Sequence, residues 1–191
     1  MDEGKLIILC APSGSGKTTL AKFLLKQNFN LGFSISATSR QSRSGEIDGK
    51  DYYFLSLKDF KNKIKNEEFL EYEEVYDGIY YGTLRSELNR LWSLGLNILF
   101  DIDVQGGINL KNILPKKSLS IFIQPPSIKI LKKRLKKRNT ESEKNISLRI
   151  SKAKEELSYS NKFDLVIINK DLMEAEKKLK NAVLSFIKKT I

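Results

Sequence analysis

The sequence predicts an α/β fold: a parallel β-sheet core flanked by helices, with an inserted lobe and a helical segment added to it. Three observations predict it. Short apolar runs alternate with stretches of helical periodicity, as in β-α units whose strands are covered on both faces. A Gly-rich turn, APSGSGKTT (residues 11–19), joins the apolar run LIILC to the helical LAKFLLKQ. Residues from about 37 to 82 then break the rhythm with antiparallel signals, and so read as an insertion.

The elements follow in order. A strand is expected over 5–10, a helix over 17–27, a strand over 33–36, a polar loop through 51 and a strand over 52–55. Ser56, with Asp59 three residues on, opens a helix over 57–66 in the manner of a capping box. FLEYEEVY (69–76) and IYYG (79–82), separated by Asp77-Gly78, predict a hairpin, and Thr83 is placed to cap a helix running to about Leu94. NILFDID (97–103) is a short strand ending in two carboxylates, followed by a helix to about Leu114 and the strand LSIFIQ (119–124). Pro125-Pro126-Ser127 introduces a basic helix, and Thr140 with Glu143 marks a new helix start, so two helices are expected to meet at Asn139. FDLVIIN (163–169) is the last strand, and a helix from about Leu172 ends the chain.

At 191 residues, with no internal repeat, the chain is expected to form one domain with inserted lobes. No apolar run approaches the roughly 18 residues of a membrane span, and LIILCAP is cut short by Pro12, so a soluble cytoplasmic protein is expected. Cys10, the only cysteine, ends an apolar strand and fits a small buried hydrophobe. Histidine is absent, which excludes the commonest general base and, with one cysteine, any His/Cys zinc site. Chemistry must then run on carboxylates, Lys, Arg and a hard metal. The net charge of +11 suits an enzyme acting on polyanions or a nucleic-acid binder, and equally a set of solvated Lys-rich faces.

Five constellations carry chemistry, one of them FLEYEEVYDGIYYGT, where Glu71, Tyr81 and Thr83 lie on the expected hairpin and helix start; by itself it reads as a plain half-buried strand pair. In APSGSGKTT, Gly14 and Gly16 let backbone N–H groups converge on phosphate oxygens, Lys17 supplies a charge to them, and the Thr18 hydroxyl suits a bridging magnesium ion. Ala11 stands where the pattern usually has its first Gly. In SISATSRQSRSGEIDGKDYY, Arg40, Arg43 and Tyr52 suit a phosphate dianion, with Ser36 on the same loop-rich stretch; a solvated basic loop is the alternative. In ILFDIDVQGG, Asp101 lies at the carboxyl end of a strand, where such an Asp reaches magnesium through water, although either strand-end carboxylate is also placed to cap the following helix. In KILKKRLKKRN, Arg134 and Arg138 share a helix face and, with Arg149, suit a moving lid; a nucleic-acid stripe is the rival, but no aromatic interleaves Lys129 to Arg138.

Together these motifs resemble guanylate kinase over nearly the whole chain: APSGSGKTT, S-x-S-x-T-S-R-Q-x-R-x-G-E-x-x-G-x-D-Y, FLEYEEVYDGIYYGT, LFDIDVQG and IFIQPPS…LKKRLKKR…R. The resemblance implies the P-loop nucleoside monophosphate kinase fold, with a core over about 1–36, 83–124 and 160–191, a GMP-binding lobe over about 37–82 and a lid over about 125–159. It implies transfer of the γ-phosphoryl of ATP to GMP, and to dGMP, with Mg2+, by a monomer or homodimer that requires neither nucleic acid nor membrane. Carried over residue by residue, it places Ala11, Pro12, Ser13, Gly14, Ser15, Gly16, Lys17, Thr18, Thr19 and Asn169 at ATP. Arg40, Arg43, Tyr52 and Tyr81 fall at the GMP phosphate, and Ser36, Glu71, Thr83 and Asp103 near the guanine. Lys17, Arg134, Arg138 and Arg149 fall at the transferring group, and Thr18 and Asp101 at the metal. Three positions depart from the family pattern: Asn139 for the usual Gly after the lid Arg, Ile79 for Asn before YYG, and Lys170 for Asp after Asn169. The alternatives are another nucleoside monophosphate kinase, which would lack a base pocket built around Glu71 and Thr83, a guanylate-kinase-like binding module without turnover, and a nucleic-acid-dependent ATPase.

Overall fold

Leu6–Cys10 (β1) is buried along its whole length, and its alternate side chains feed two different apolar layers. Ile7 and Leu9 pack with Leu20 and Leu24 of α1 (Lys17–Leu25) and with Ala175, Leu179 and Val183 from the C-terminal helix. Leu6, Ile8 and Cys10 face the other way, onto Leu88, Leu91 and Leu110. A strand wedged between two helical layers has no wet face, which is why LIILC is apolar at every position. The computed structural model describes residues 4–137 and 143–189.

The central sheet has the order β2-β7-β1-β8-β9, with β2 Leu31–Phe33, β7 Asn97–Asp101, β8 Ser118–Gln124 and β9 Leu165–Ile168, and every pairing is parallel. All five carboxyl ends therefore open on one edge, the edge where ligands bind in such sheets. The second sheet, β4-β3-β6-β5, is built from β3 Ala37–Thr38, β4 Tyr53–Phe54, β5 Phe69–Tyr76 and β6 Ile79–Leu84. It has its own small core, in which Phe60 of α2 (Leu57–Lys65) stacks on Phe69 with ring centroids 4.3 Å apart. α3 (Arg85–Ser93) and α4 (Val104–Ile113) flank β7, while α5 (Ile128–Lys137) and α6 (Glu143–Ser158) pack together through Leu131, Leu135, Ile146 and Ala153. α7 (Leu172–Lys188) closes the chain.

Several expectations are corrected. The second strand is Leu31–Phe33 rather than 33–36: Asn30, at φ 51°, starts it early, and the chain leaves the sheet at Ser34. The loop through 51 contains the two-residue β3, which pairs parallel with β4, although only antiparallel pairing was expected in the insertion. Thr83 caps no helix; it lies inside β6, and α3 begins after Leu84 with no side-chain cap. Ser56 does cap α2, accepting from Asp59 N at 3.0 Å. Arg138, Asn139 and Thr140 lie outside the described residues. Among the described residues, no helix is long and apolar enough to cross a membrane.

Candidate active site

The turn after β1 depends on two left-handed glycines, Gly14 (φ 88°) and Gly16 (φ 97°), conformations that a Cβ disfavours. At Gly16 a Cβ would also sit 2.4 Å from Asn169 Nδ2, which donates to Ser15 O at 2.8 Å. Arg134 braces the same place, donating to Asn169 O (3.0 Å) and Ser15 O (3.4 Å). Lys17, the first residue of α1, donates to Asp101 Oδ1 at 2.6 Å and to Ile102 O at 2.5 Å. The parallel register that sets Leu9 beside Asp101 brings this carboxylate to the loop. Burial pulls the Lys17 ammonium down, but Asp101 outweighs it and holds the pKa above its ordinary value.

At the other end lies a cationic cage. The Arg40 guanidinium stands 4.9 Å from the Tyr52 ring centroid and donates through Nε to the Tyr81 hydroxyl (3.1 Å). Its two terminal nitrogens grip Glu46 at 2.7 Å each, and Glu46 Oε2 also accepts from Arg43 N at 2.7 Å. Bonding to Arg40 holds the Glu46 carboxyl at about 2.

The cleft that both regions border also holds an acceptor-rich pocket. Glu71 on β5 is directly opposite Thr83 on β6, whose hydroxyl donates to Glu71 Oε1 at 2.6 Å. Burial lifts the Glu71 carboxyl to about 7. Asp103 N-caps α4, accepting from Gly106 N at 2.8 Å, as the capping alternative for a strand-end carboxylate anticipated. Gly106 is required here: a Cβ on it would lie 2.5 Å from Glu71 Oε2. Burial, and then the neighbouring Asp103 carboxyl, push the Glu73 carboxyl well above its ordinary value. Cys10, buried behind this wall, donates its thiol to Asp103 O at 3.1 Å, and burial raises its pKa.

One cleft of about 590 Å³ joins the three regions. Of the residues read from sequence, Ala11, Pro12, Ser13, Gly14, Gly16, Lys17, Thr18, Thr19, Ser36, Arg40, Arg43, Tyr52, Glu71, Tyr81, Asp101, Asp103 and Arg149 border it. Ser15, Thr83, Arg134 and Asn169 do not: Thr83 bonds to Glu71, which does, while Asn169 and Arg134 bond to the Ser15 carbonyl inside the loop. Arg149 reaches across from α6 to donate to Ser13 Oγ at 2.9 Å. Lys152 and Glu156, three and seven positions on, present the same helix face to the cleft. Sequence reading missed Lys152, Glu156, Glu46 and Glu73. The only signal for Glu46 was its place in a Gly-Glu pair between Arg43 and Tyr52.

The family model described as guanylate kinase matches residues 3–185. The chain belongs to the guanylate kinase family. It is 48% identical over 186 residues to a guanylate kinase of Bacteroides thetaiotaomicron, covering 97% of this chain and 91% of the relative. It is 47% identical over 186 residues to one from Porphyromonas gingivalis, covering 97% and 99% respectively. The crystal structure of guanylate kinase from Anaplasma phagocytophilum superposes with a TM-score of 0.79 at 33% identity, covering 98% of this chain and 88% of that one. The parallel core flanked by helices is thus the P-loop nucleoside monophosphate kinase fold, and the chain is a kinase that moves a phosphoryl group from ATP to GMP.

Proposed function

We propose that the phosphate-loop end of the cleft holds ATP and the Arg40 end holds GMP, with the γ-phosphoryl passing between them. The observation that carries this reading is one continuous cleft with an anion cradle at each end and a buried carboxylate, Glu71, beside the second. Gly14, Gly16, Lys17, Thr18 and Thr19 address the ATP phosphates, and Arg40, Arg43, Tyr52 and Tyr81 the GMP phosphate. Thr83 and Asn169 act one step back, by orienting Glu71 and fixing the loop. The second sheet, about residues 37–82, and the paired helices within about 125–159 act as acceptor lobe and lid, and the protein works in the cytoplasm as a monomer or homodimer without nucleic acid.

Phosphoryl transfer spreads charge over the equatorial oxygens, so it needs in-line placement and positive charge more than covalent help. Lys17 holds its ammonium at the loop before the phosphates arrive, and Arg149 brings a second cation from α6. The GMP phosphate is itself the nucleophile, and no dedicated base is needed. The Thr18 hydroxyl and the Asp101 carboxylate are hard oxygen groups bordering the loop and fit a magnesium ion, Asp101 through water. When bound, that ion neutralises charge on the ATP phosphates.

Guanine selects itself by donors. Its N1–H and exocyclic amino group are two donors that carboxylates accept, whereas adenine N1 offers a lone pair to Glu71. Unpaired buried groups reject the wrong base by about 10⁴-fold in kcat/KM. The sugar plays no part in this, so dGMP is a second acceptor. A coupled assay offering ATP with GMP, dGMP, AMP, CMP and UMP in turn checks the assignment: the first two are turned over and AMP falls about 10⁴-fold behind. Comparable turnover of AMP, or ATP hydrolysis that requires added polynucleotide, would overturn it.

A further inference from the structure

Glu87, on α3, is a buried carboxylate at 2% exposure that takes no part in the cleft. Four donors from three parts of the chain converge on it. Ile35 N donates to Oε2 at 2.9 Å, the Tyr53 hydroxyl to Oε1 at 2.8 Å, and Arg90 donates through Nε and Nη2 at 2.9 Å each. Burial opposes the charge, but these bonds outweigh it and keep the carboxyl below its ordinary pKa.

What these donors are attached to gives the cluster its meaning. Ile35 lies in the link 34–36, where the chain passes from β2 in the core sheet to β3 in the second sheet, and it immediately precedes Ser36. Tyr53 lies on β4 next to Tyr52, and its own N–H donates to Ser36 O at 2.9 Å. α3 starts where the chain returns, since β6 ends at Leu84 and the helix begins at Arg85. Both crossings between the two sheets therefore meet at one side chain, beside one residue of the base pocket and one of the phosphate cage.

We propose that Glu87 is the positioning residue that keeps the acceptor lobe in register with the core. It touches no substrate. By holding Ile35 and Tyr53 to α3 it sets where Ser36 and Tyr52 stand relative to Glu71 and the phosphate loop. The inference rests on the assignment of GMP to the Arg40 end of the cleft.

The test is steady-state kinetics of three variants with ATP and GMP varied separately, alongside thermal melting. Glu87→Gln puts an amide N–H₂ among donors and removes the charge; KM for GMP rises about 10-fold, the scale of one hydrogen bond to a charged group. KM for ATP stays within about 2-fold, because no bond of the cluster reaches the phosphate loop. Tyr53→Phe deletes a single bond and raises KM for GMP about 3-fold. Arg90→Met lowers the melting temperature but leaves KM for GMP within about 2-fold, since Ile35 and Tyr53 remain tied. A purely structural role gives a different pattern: lower melting temperatures with both KM values unchanged, or raised together, in Glu87→Gln and Tyr53→Phe. Either result overturns the proposal. If Glu87→Gln does not fold, Tyr53→Phe decides alone. An unmodified protein that does not phosphorylate GMP would instead overturn the functional reading on which the inference rests.

Discussion

On the proposed assignment of Glu71 to the guanine, one buried side chain sets both specificity and its own pH dependence. Only the ionised carboxylate accepts both guanine donors, yet burial holds its pKa at about 7 in the free protein. Below that value GMP must displace a proton to bind, so affinity falls by up to about 10-fold per pH unit, and it levels off above it. The phosphate of GMP, with a second pKa near 6, adds a separate arm at lower pH. Calorimetric titration of GMP from pH 5.5 to 8.5 should show both arms in the unmodified protein and only the lower one, at weaker affinity, in Glu71→Gln. A binding constant that does not change between pH 6.5 and 8 would refute the assignment of Glu71 to the base. The sign for folding is opposite. A pKa raised from 4.5 to about 7 means that the folded chain holds a proton the unfolded chain has lost, so this group costs stability as pH rises through that window. Glu71→Gln should therefore melt higher than the unmodified protein at pH 8 while binding GMP worse. Such single residues were unevenly legible. Glu71 and Asp103 came with a family pattern, but Glu46, Glu73 and Glu87 are ordinary acidic residues until tertiary contact brings donors or a second carboxylate to them.

Among elements, those with local signals were read well and those defined by their partners were not. Ser56 and Asp59 announce α2, and Asp77-Gly78 announces the β5–β6 hairpin. β3 is two residues long and exists only because β4 and β6 flank it, and the Thr83 cap was misread because the hydroxyl had a better acceptor across the hairpin. In the site, the loop was legible from spacing, whereas the cooperation of α6 was visible only in part: Arg149 was read, but the stripe continuing to Lys152 and Glu156 needs the helix laid along the cleft. This placement has a kinetic consequence. On the proposed role of α6 as part of a lid, Arg149→Met should lower kcat about 10²-fold, the scale of one lost preorganised donor. GMP affinity measured without ATP should stay within about 2-fold, since the Arg40 cage is untouched. An unchanged kcat would leave α6 as scaffold.

The molecule as a whole is two separately cored sheets and a helical pair around one cleft, and its stability should respond to ligands accordingly. A ligand present at 100 times its Kd stabilises the fold by about 2.7 kcal/mol, and each kcal/mol raises the melting temperature of a chain this long by about 2–4 °C. On the proposed assignment, GMP alone organises only the Arg40 end, and a non-hydrolysable ATP analogue only the loop and the Arg149 contact with Ser13. Closing the cleft costs ordering entropy, and whichever ligand binds first meets part of that cost for the second. The two together should therefore raise the melting temperature by more than the sum of their separate shifts. A single molecule in which adenosine and guanosine are joined through a polyphosphate bridge should exceed both. The same measurement on Lys17→Met separates the ends: the shift with GMP survives, while the shift with the ATP analogue and the excess over additivity both disappear, because the charge that organises the loop is gone and Asp101 is left without its partner. Strictly additive shifts in the unmodified protein would mean that lobe and lid close independently, and that α6 senses only the ATP end of the cleft.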